Sequence, residues 1–505
     1  MEVSSAIYTA SSGIIAVNNQ LAVVANNIAN QNTVAYATEV ANQSAVVADG
    51  SGMGVVSTAT TRDIDLTLQG TLLAQNAAVQ SLSTQSTSLS AIDAASGTTG
   101  AGNDLPSLLG DLQDSFTSLS ASPDSGAAQS EVVSAASTLA SGINNISDAI
   151  GTQRQNAQNN IVTGIGTLNT ALAQIGSLNS LIASNQAAGG SVAALENQRD
   201  ISEQAISNLI DAKFVTEPDG AVQVITGSGT ILPTDGTALV TSNTTITAGS
   251  TYPNDIPAIT LDGVDVTSSL TGGSIGGAIT LRDSTLPARQ AELDEFSEQL
   301  ATRFDAQGLT LFTDGSSNVP AAGSPTQTNY VGFAGTITVN PAVSVNVSLV
   351  RDGTHNVTGS ATGAAAFSVN SAGTAGFTTL INNILNYTFG ADVQSGVPQP
   401  AVPTSGLGAE GSTAIAYNPG GTLSSFISAL SSNDATEVAN STSRLTDETD
   451  TQTTLNNQLS AGSAVSVDAQ MSDMVQLQNA YAANAKILSS VQSMWTDLMG
   501  AINPS

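Results

Sequence analysis

The sequence predicts a multidomain, mainly α-helical protein with paired terminal coiled-coil helices, a helical-bundle domain and inserted β-rich domains. Its 505 residues exceed what one hydrophobic core organises, since domains average about 150 residues. Apolar residues follow heptad repeats at both ends of the chain. Between the ends, helical periodicity is interrupted twice by short segments with the turns and alternation of strands.

The first heptad repeat lies at the N-terminus. Four apolar residues recur every seven positions: Ile7, Ile14, Leu21 and Ile28. Three more follow three positions after a member of that series: Ala10, Val17 and Val24. This a/d pattern predicts a coiled-coil helix that is almost free of charge after Glu2. The helix should end in the Asn-rich segment 26–32, where side chains compete for backbone hydrogen bonds.

The second heptad repeat lies at the C-terminus. Its seven-residue series is Met474, Tyr481, Leu488, Trp495 and Ile502. The companion series, three positions later, is Leu477, Asn484, Val491 and Leu498, in which Asn484 alone is polar. Either stripe by itself is typical of an ordinary helix packed on a core. Because strict heptads occupy both ends, we expect the termini to pack together, and the apolar members of both repeats to form an assembly interface with neighbouring subunits.

Between the termini the pattern changes character twice. Residues from about Leu66 to Leu209 are helical in pattern, and Ile143 to Ile182 mark one long helix or two helices broken near Gly164. The predicted organisation has four parts: residues 1–50 with 462–505 as the terminal helical domain, 51–212 with 280–312 and 422–461 as a helical domain, 213–279 as an inserted β domain, and 313–421 as a β-rich or irregular segment.

The residue inventory argues against catalysis and against metal or cofactor binding. The chain has no cysteine and one histidine, His355, which lies in a polar, turn-like stretch. Thiolate chemistry, disulfides and sites that need two histidines are therefore excluded. We predict no catalytic residues, no metal and no cofactor, although a carboxylate pair stays possible on sequence grounds.

The charge and the N-terminus limit the partners and the location. A formal net charge of −30 opposes binding to nucleic acid and to anionic lipid. No apolar run approaches the ~20 residues that span a bilayer, and the N-terminus lacks the basic and apolar regions of a Sec signal peptide. We expect no membrane insertion, and export without a cleaved signal peptide if the chain leaves the cytoplasm.

Two terminal motifs resemble the bacterial flagellar rod, hook and hook-associated proteins. They are residues 25–36, Ala-Asn-Asn-Ile-Ala-Asn-Gln-Asn-Thr-Val-Ala-Tyr, and residues 477–487 in the C-terminal repeat. Residues 195–200, 272–283 and 337–342 are similar to the hook-associated proteins that form the first layer of the hook–filament junction. The family's usual Pro-Gly before the motif tyrosine is replaced by Val34-Ala35, so the local turn has no preset φ.

The resemblance implies a structural, non-enzymatic subunit of the flagellum. Its implied partners are further copies of itself in a ring-like homo-oligomer, the hook protein, the second junction protein, and an export chaperone on the C-terminal helix. The implied location is extracellular, at the hook–filament junction, after type III export.

Three alternatives stay open. A flagellar hook or distal rod protein shares the termini but not the central motifs. A secreted adhesin explains the acidic, Thr- and Gly-rich composition but not two terminal heptads. A wall hydrolase in the insertion is opposed by the residue inventory.

Overall fold

The computed structural model describes residues 2–48, 51–98, 100–321, 326–359 and 363–502. Its helices are α1 (Glu2–Ala29), α2 (Leu66–Ser96), α3 (Leu105–Ala121), α4 (Gly126–Ala187), α5 (Ala193–Leu209), α6 (Gly273–Thr280), α7 (Leu286–Asp305), α8 (Pro341–Val345), α9 (Leu349–Asp352), α10 (Thr379–Asn383), α11 (Leu423–Ser463) and α12 (Val467–Ile502). The predicted fold class, mainly helical with paired terminal helices and small inserted β elements, is confirmed.

The strands are short and form small antiparallel sheets. They are β1 (Glu39–Val40), β2 (Gln43–Ala48), β3 (Ser51–Ser57), β4 (Thr61–Arg62), β5 (Ala212–Thr216), β6 (Val222–Thr226), β7 (Ile231–Leu232), β8 (Thr260–Leu261), β9 (Val264–Asp265), β10 (Phe312–Thr313), β11 (Thr338–Val339), β12 (Asp392–Gln394), β13 (Val397–Pro398), β14 (Ser405–Leu407) and β15 (Thr413–Ala414). Within the described residues, β5–β6–β7 is three-stranded and every other sheet is a pair.

Helix α4 is the long axis of the helical domain. It runs unbroken for 62 residues, so the segment around Gly164 is one helix and not two. Ser125 caps its N-terminus by accepting a hydrogen bond from the Ala128 backbone. By length and composition alone, α4 is the one described helix apolar enough to cross a bilayer. Its apolar face, including Ile143 and Ile175, is instead buried in the shared core with α3, α5, α6 and α7.

Polar side chains of α4 hold the first insertion. Asn179 exchanges hydrogen bonds with the backbone of Val222, at 2.9 and 3.0 Å. Arg154 donates to the backbone oxygens of Thr247 and Ser250, at 3.0 and 2.6 Å. These hydrogen bonds hold the segment that contains β5 to β9 against α4. The last residues of the predicted β domain, from Gly273 onward, are helical and belong to α6, which packs on α2 and α4.

The second insertion, residues 313–421, packs on the same core. Its short helices and paired strands bury Leu380, Ile381 and Ile384 against it. The contact centres on aromatic rings: Phe304 of α7 lies with ring centroids 5.8 Å from Phe116 and 5.7 Å from Phe389. The sequence predicted a β-rich or irregular segment, and the structure shows both β pairs and short helices there.

Helix α7 carries four buried carboxyl groups, Glu292, Asp294, Glu295 and Glu298. Asp294 accepts hydrogen bonds from the backbone nitrogens of Gly332 and Ala334, at 2.7 and 2.9 Å. Burial nevertheless raises the pKa of Asp294 to about 7. Burial and the neighbouring Glu295 raise the pKa of Glu298 to about 8, against the opposing effect of Arg303. Because the pKa values of these groups are higher in the folded chain than in the unfolded chain, the fold is favoured by mildly acidic solution.

We therefore expect the free energy of unfolding to fall as the pH rises. Between the ordinary glutamate pKa of 4.5 and about 8, the folded chain binds more protons at Glu298 than the unfolded chain does. Glu298→Gln removes that titration and should reduce the loss of stability between pH 5 and pH 9 by on the order of 4 kcal/mol. Chemical denaturation at the two pH values measures it.

The matched control is Glu131→Gln, because Glu131 is an exposed carboxylate on α4. This variant should keep the pH dependence of the parent protein. If Glu298→Gln keeps it as well, Glu298 is ionised in the folded protein and the buried carboxyl group is not a source of the slope.

Candidate assembly interface

The two terminal helices pack against each other in antiparallel register. The amide Nδ2 of Asn27 donates to Oε1 of Gln470 at 3.0 Å. Gly13, fourteen residues before Asn27 on α1, faces Asn484. Asn484 lies fourteen residues after Gln470 on α12. Equal steps in opposite directions define a continuous antiparallel pair. The two ends of the chain are therefore side by side within one molecule.

The heptad residues of α1 face this contact. Those of the companion series are buried: Ala10, Val17 and Val24. Those of the seven-residue series are half-buried: Ile7, Ile14, Leu21 and Ile28. The seam therefore has a partner within its own chain, and a role for these residues between subunits stays a prediction.

The heptad residues of α12 are less covered. Four are half-buried: Met474, Leu477, Leu488 and Val491. Tyr481 and Trp495 are exposed, at 42% and 47%. The side chains of Leu498 and Ile502 lie outside the described residues. Trp495 is level with the start of α1 in the antiparallel register, which explains why its ring is only partly covered.

Asn484, the polar interruption of the heptad, lies against Gly13 of α1. A Cβ atom on Gly13 would be 3.0 Å from Nδ2 of Asn484. Glycine in α1 therefore makes room for the amide side chain in α12, and this steric fit favours the in-register arrangement over shifted ones. The sequence pattern identified Asn484 as a break but did not show its partner.

A further set of apolar side chains in the terminal region is exposed to solvent. On the helices it comprises Tyr8, Ile15, Met471, Val475, Ile487, Met494 and Met499, in addition to Tyr481 and Trp495. Of the 23 large apolar residues exposed in the described chain, 15 lie in residues 4–62 and 464–502, about a fifth of its length. Part of this set could have been found in the sequence, because Tyr8 and Ile15 are seven residues apart and each follows a member of the first heptad series by one position. Contiguous exposed apolar surface is typical of interaction sites, which makes this region the candidate assembly interface.

A buried asparagine fixes the end of α1. Asn27 accepts hydrogen bonds from the Glu39 backbone nitrogen and the Tyr36 hydroxyl, both at 2.9 Å. It also donates to the Glu39 backbone oxygen at 2.9 Å and to Gln470. All the hydrogen-bonding capacity of this amide is satisfied. One residue of the N-terminal motif thereby joins α1, the segment after it and α12.

The same segment is bonded to the helical domain through Asn197 of α5. Its side chain bonds both backbone groups of Ala37 at 3.2 Å, and Nδ2 also donates to the Glu39 carboxylate. Arg62 then bridges to α5 through Glu196 at 3.0 Å and Asp200 at 2.5 Å. We call these residues, Asn27, Glu39, Arg62, Asn197 and Asp200, the polar joint. Sequence reasoning noted the motifs but missed that they meet.

The turn after α1 contains a strained alanine. The helix ends at Ala29, and the chain turns before Tyr36 folds back onto Asn27. Ala35 has φ of 61°, a left-handed conformation that favours glycine. The sequence left the geometry open here, and the structure shows that the turn forms without Pro or Gly. The network around Asn27 holds it.

The side chains that could take part in catalysis or bind a metal ion do not form a cluster. Nδ1 of His355 lies 3.9 Å from Oδ1 of Asp305, at the surface of the second insertion. Within the described residues, no group of three His, Asp or Glu side chains could hold a metal ion.

Comparison with known families matches the chain in three segments. A family model for the flagellar hook-associated protein FlgK helical domain matches residues 89–317. A model for flagella basal body rod proteins matches residues 7–36, and one for the C-terminal part of flagellar basal body rod FlgEFG proteins matches residues 458–500. The longest of these matches, to the FlgK helical domain, covers a little under half of the chain and supports a hook-associated protein of the FlgK type. The two rod-type matches coincide with the packed terminal helices.

Two individual proteins are similar over about half of the chain. Flagellar hook-associated protein 1 of Bacillus subtilis (strain 168) is 26% identical over 235 residues, which cover 44% of this chain and 46% of the relative. The flagellar hook junction protein FlgK from Burkholderia pseudomallei is 25% identical, with a TM-score of 0.40, over 50% of this chain and 47% of that one. The matched part thus spans about half of each FlgK-type relative.

Ala35→Gly should stabilise the terminal pair by about 1 kcal/mol, because glycine tolerates the left-handed conformation. The effect is expected as stronger hydrogen-exchange protection of α1 amides next to the turn. Ala25→Gly, the same change at an exposed site inside α1, should weaken protection by about 0.5–1 kcal/mol. Weaker protection in both variants would show that the turn is not strained.

Arg62→Met should destabilise the protein by about 3–5 kcal/mol, because it leaves the buried Asp200 carboxylate without its cation. Thermal unfolding measures the loss. Arg444→Met is the control, since Arg444 is exposed on α11, and it should change stability by less than about 0.5 kcal/mol. Equal, small effects would mean that the polar joint does not hold the two domains together.

Proposed function

We propose that this protein is a structural subunit of the bacterial flagellum that joins the hook to the filament by self-assembly through its terminal helices. The observation that carries the proposal is the outward apolar surface of the α1–α12 pair, in a chain of the FlgK type. Water-exposed methionine, isoleucine, tyrosine and tryptophan side chains gain free energy when a partner covers them. Assembly buries these side chains without any covalent chemistry, so the proposed role is not enzymatic.

The distribution of charge favours contact through the same region. Only six of the 40 acidic residues lie in residues 1–62 and 464–505. The remaining acids give the outer domains a strongly negative surface, and like charges oppose close approach of copies there. The charge-poor terminal pair is the part of the chain that a second copy approaches most easily.

The partners in this proposal are those of a junction subunit. They are further copies in a ring-like homo-oligomer, the hook protein on one side, the second junction protein on the other, and an export chaperone on α12 before assembly. The proposed location is extracellular, in the flagellum, after type III export without a cleaved signal peptide. The proposed interface includes the apolar heptad residues of both helices where they stay accessible.

A hook or distal rod protein is the second candidate, because the terminal segments match rod-type families. The match of residues 89–317 to the FlgK helical domain favours the junction role. Electron microscopy of a strain that lacks the protein separates the two. Hooks without filaments support the junction role, whereas basal bodies without hooks support a rod or hook role, and intact filaments support an adhesin.

Trp495→Ala tests assembly against folding. Because Trp495 is already 47% exposed in the single chain, its removal should change monomer stability by less than about 1 kcal/mol. If a neighbouring subunit buries it, the loss of the aromatic side chain should cost assembly about 3–5 kcal/mol. We expect a normal melting temperature, normal secretion and few or no filaments on the cells.

Leu181→Ala is the control, since Leu181 is 51% exposed on α4, away from the terminal pair. This variant should form filaments. A marked fall in the melting temperature of Trp495→Ala would place the tryptophan in a core of the monomer and contradict an assembly role.

A further inference from the structure

The hairpin β2–β3 is attached to α1 along one strand only. The backbone nitrogen of Val55 donates to Oγ of Ser12 at 3.1 Å, and Nδ2 of Asn19 donates to Oγ of Ser57 at 2.9 Å. Gly54 has φ of 111° and leaves no room for a Cβ beside Ser12. Strand β3 is therefore fitted closely to the helix. The two strands lie on either side of residue 50, the predicted end of the first terminal segment, and β3 packs on α1.

The other strand, β2, is open. Residues 43–47 are all exposed, and β2 pairs with β3 alone among the described strands. Val46, Val47, Met53 and Val56 expose 38–63% of their surface. Edge strands usually carry lysine or proline, which prevent pairing with other chains. Neither residue occurs between Gln43 and Ser57, and Asp49 is the single charge there. A bulge at Val46 and Val47 is the one protecting feature.

The exposed hairpin continues an apolar stripe of α1. Tyr8 and Ile15 precede the hairpin contacts Ser12 and Asn19 by four residues each, which is one helical turn. Tyr8 and Ile15 expose 66% and 59% of their surface. The stripe therefore runs along the side of the hairpin. Together they form one charge-poor apolar surface on the face of α1 that α12 does not cover.

We propose that this surface, the hairpin with Tyr8 and Ile15, is the docking site for the outer face of α12 of a second copy of the protein. This proposal rests on the proposed self-assembly. Met471 and Val475, one helical turn apart on the outer side of α12, expose 49% and 54% of their surface. Flexible methionine side chains suit an irregular partner surface such as a hairpin.

The charge of the chain favours this occupant. A copy brings a charge-poor helix to a charge-poor hairpin, while its acidic outer domains stay apart. The contact joins two different surfaces, so each copy that binds by its α12 leaves its own hairpin free for the next. Such a heterologous contact propagates into a ring or a helical array.

The absence of cysteine allows a direct cross-linking test. Val47→Cys and Val475→Cys are each exposed single-cysteine variants of the full chain. Both are produced together in one strain, and isolated hook and junction preparations are treated with a short bis-maleimide. We expect a cross-linked dimer that contains one variant of each kind, found in the assembled material and absent from dilute monomer. Val345→Cys replaces Val475→Cys as the control, because Val345 is 88% exposed in the second insertion, and should give no such dimer.

Other products overturn the proposal in different ways. Dimers of Val47→Cys alone would show that hairpins meet each other. A cross-link to the hook protein would make that protein the occupant. Assembled material with no cross-link at Val47→Cys would leave the hairpin without a partner.

A charge at the hairpin separates this proposal from the proposed function. Val47→Glu should leave the melting temperature unchanged and lower the number of filaments per cell at least tenfold, with Val345→Glu as the control. If Trp495→Ala abolishes filaments and Val47→Glu does not, the junction role stands and the hairpin is not a docking site. If neither variant affects filaments, the terminal region is not the assembly surface at all.

Discussion

The antiparallel contact between α1 and α12 is the constraint on which the rest of the structure depends. It holds the two terminal helices of a 505-residue chain side by side. The polypeptide between them must therefore start and end at this helix pair. The helical domain and both insertions therefore lie, in sequence, between two helices that pack together. The contact between Gly13 and Asn484 and the bond between Asn27 and Gln470 fix its register. Apolar heptads alone would allow a shift by one repeat.

Periodic features of the sequence were predictable, and features made by distant residues were not. Heptads located both terminal helices, and apolar spacing indicated the helical region that includes α4. The sequence could not show that Ala35 adopts a conformation typical of glycine, because the bonds of Asn27 to residues beyond the turn enforce it. The hairpin β2–β3 was missed since its strands do not alternate clearly and its stability comes from α1.

The assembly residues were predicted only in part for a related reason. A heptad pattern indicates which side chains face a partner, but not whether that partner is in the same chain. In the structure α12 takes up much of the α1 seam, and the surface available to other molecules shifts to the offset positions and the hairpin. Burial of the α7 carboxyl groups could likewise not be predicted, because it results from packing against residues distant in sequence, such as Gly332 and Ala334 beside Asp294.

The length of α4 gives the polar joint a mechanical consequence. At 1.5 Å per residue, a helix of 62 residues is about 93 Å long, and its C-terminal end leads into α5, which carries Asn197 and Asp200. A rotation of about 5° at the joint would displace the far end of such a lever by about 8 Å. Small rotations at the joint would thus become large displacements at the far end of α4, which would suit the proposed coupling of the hook to the filament.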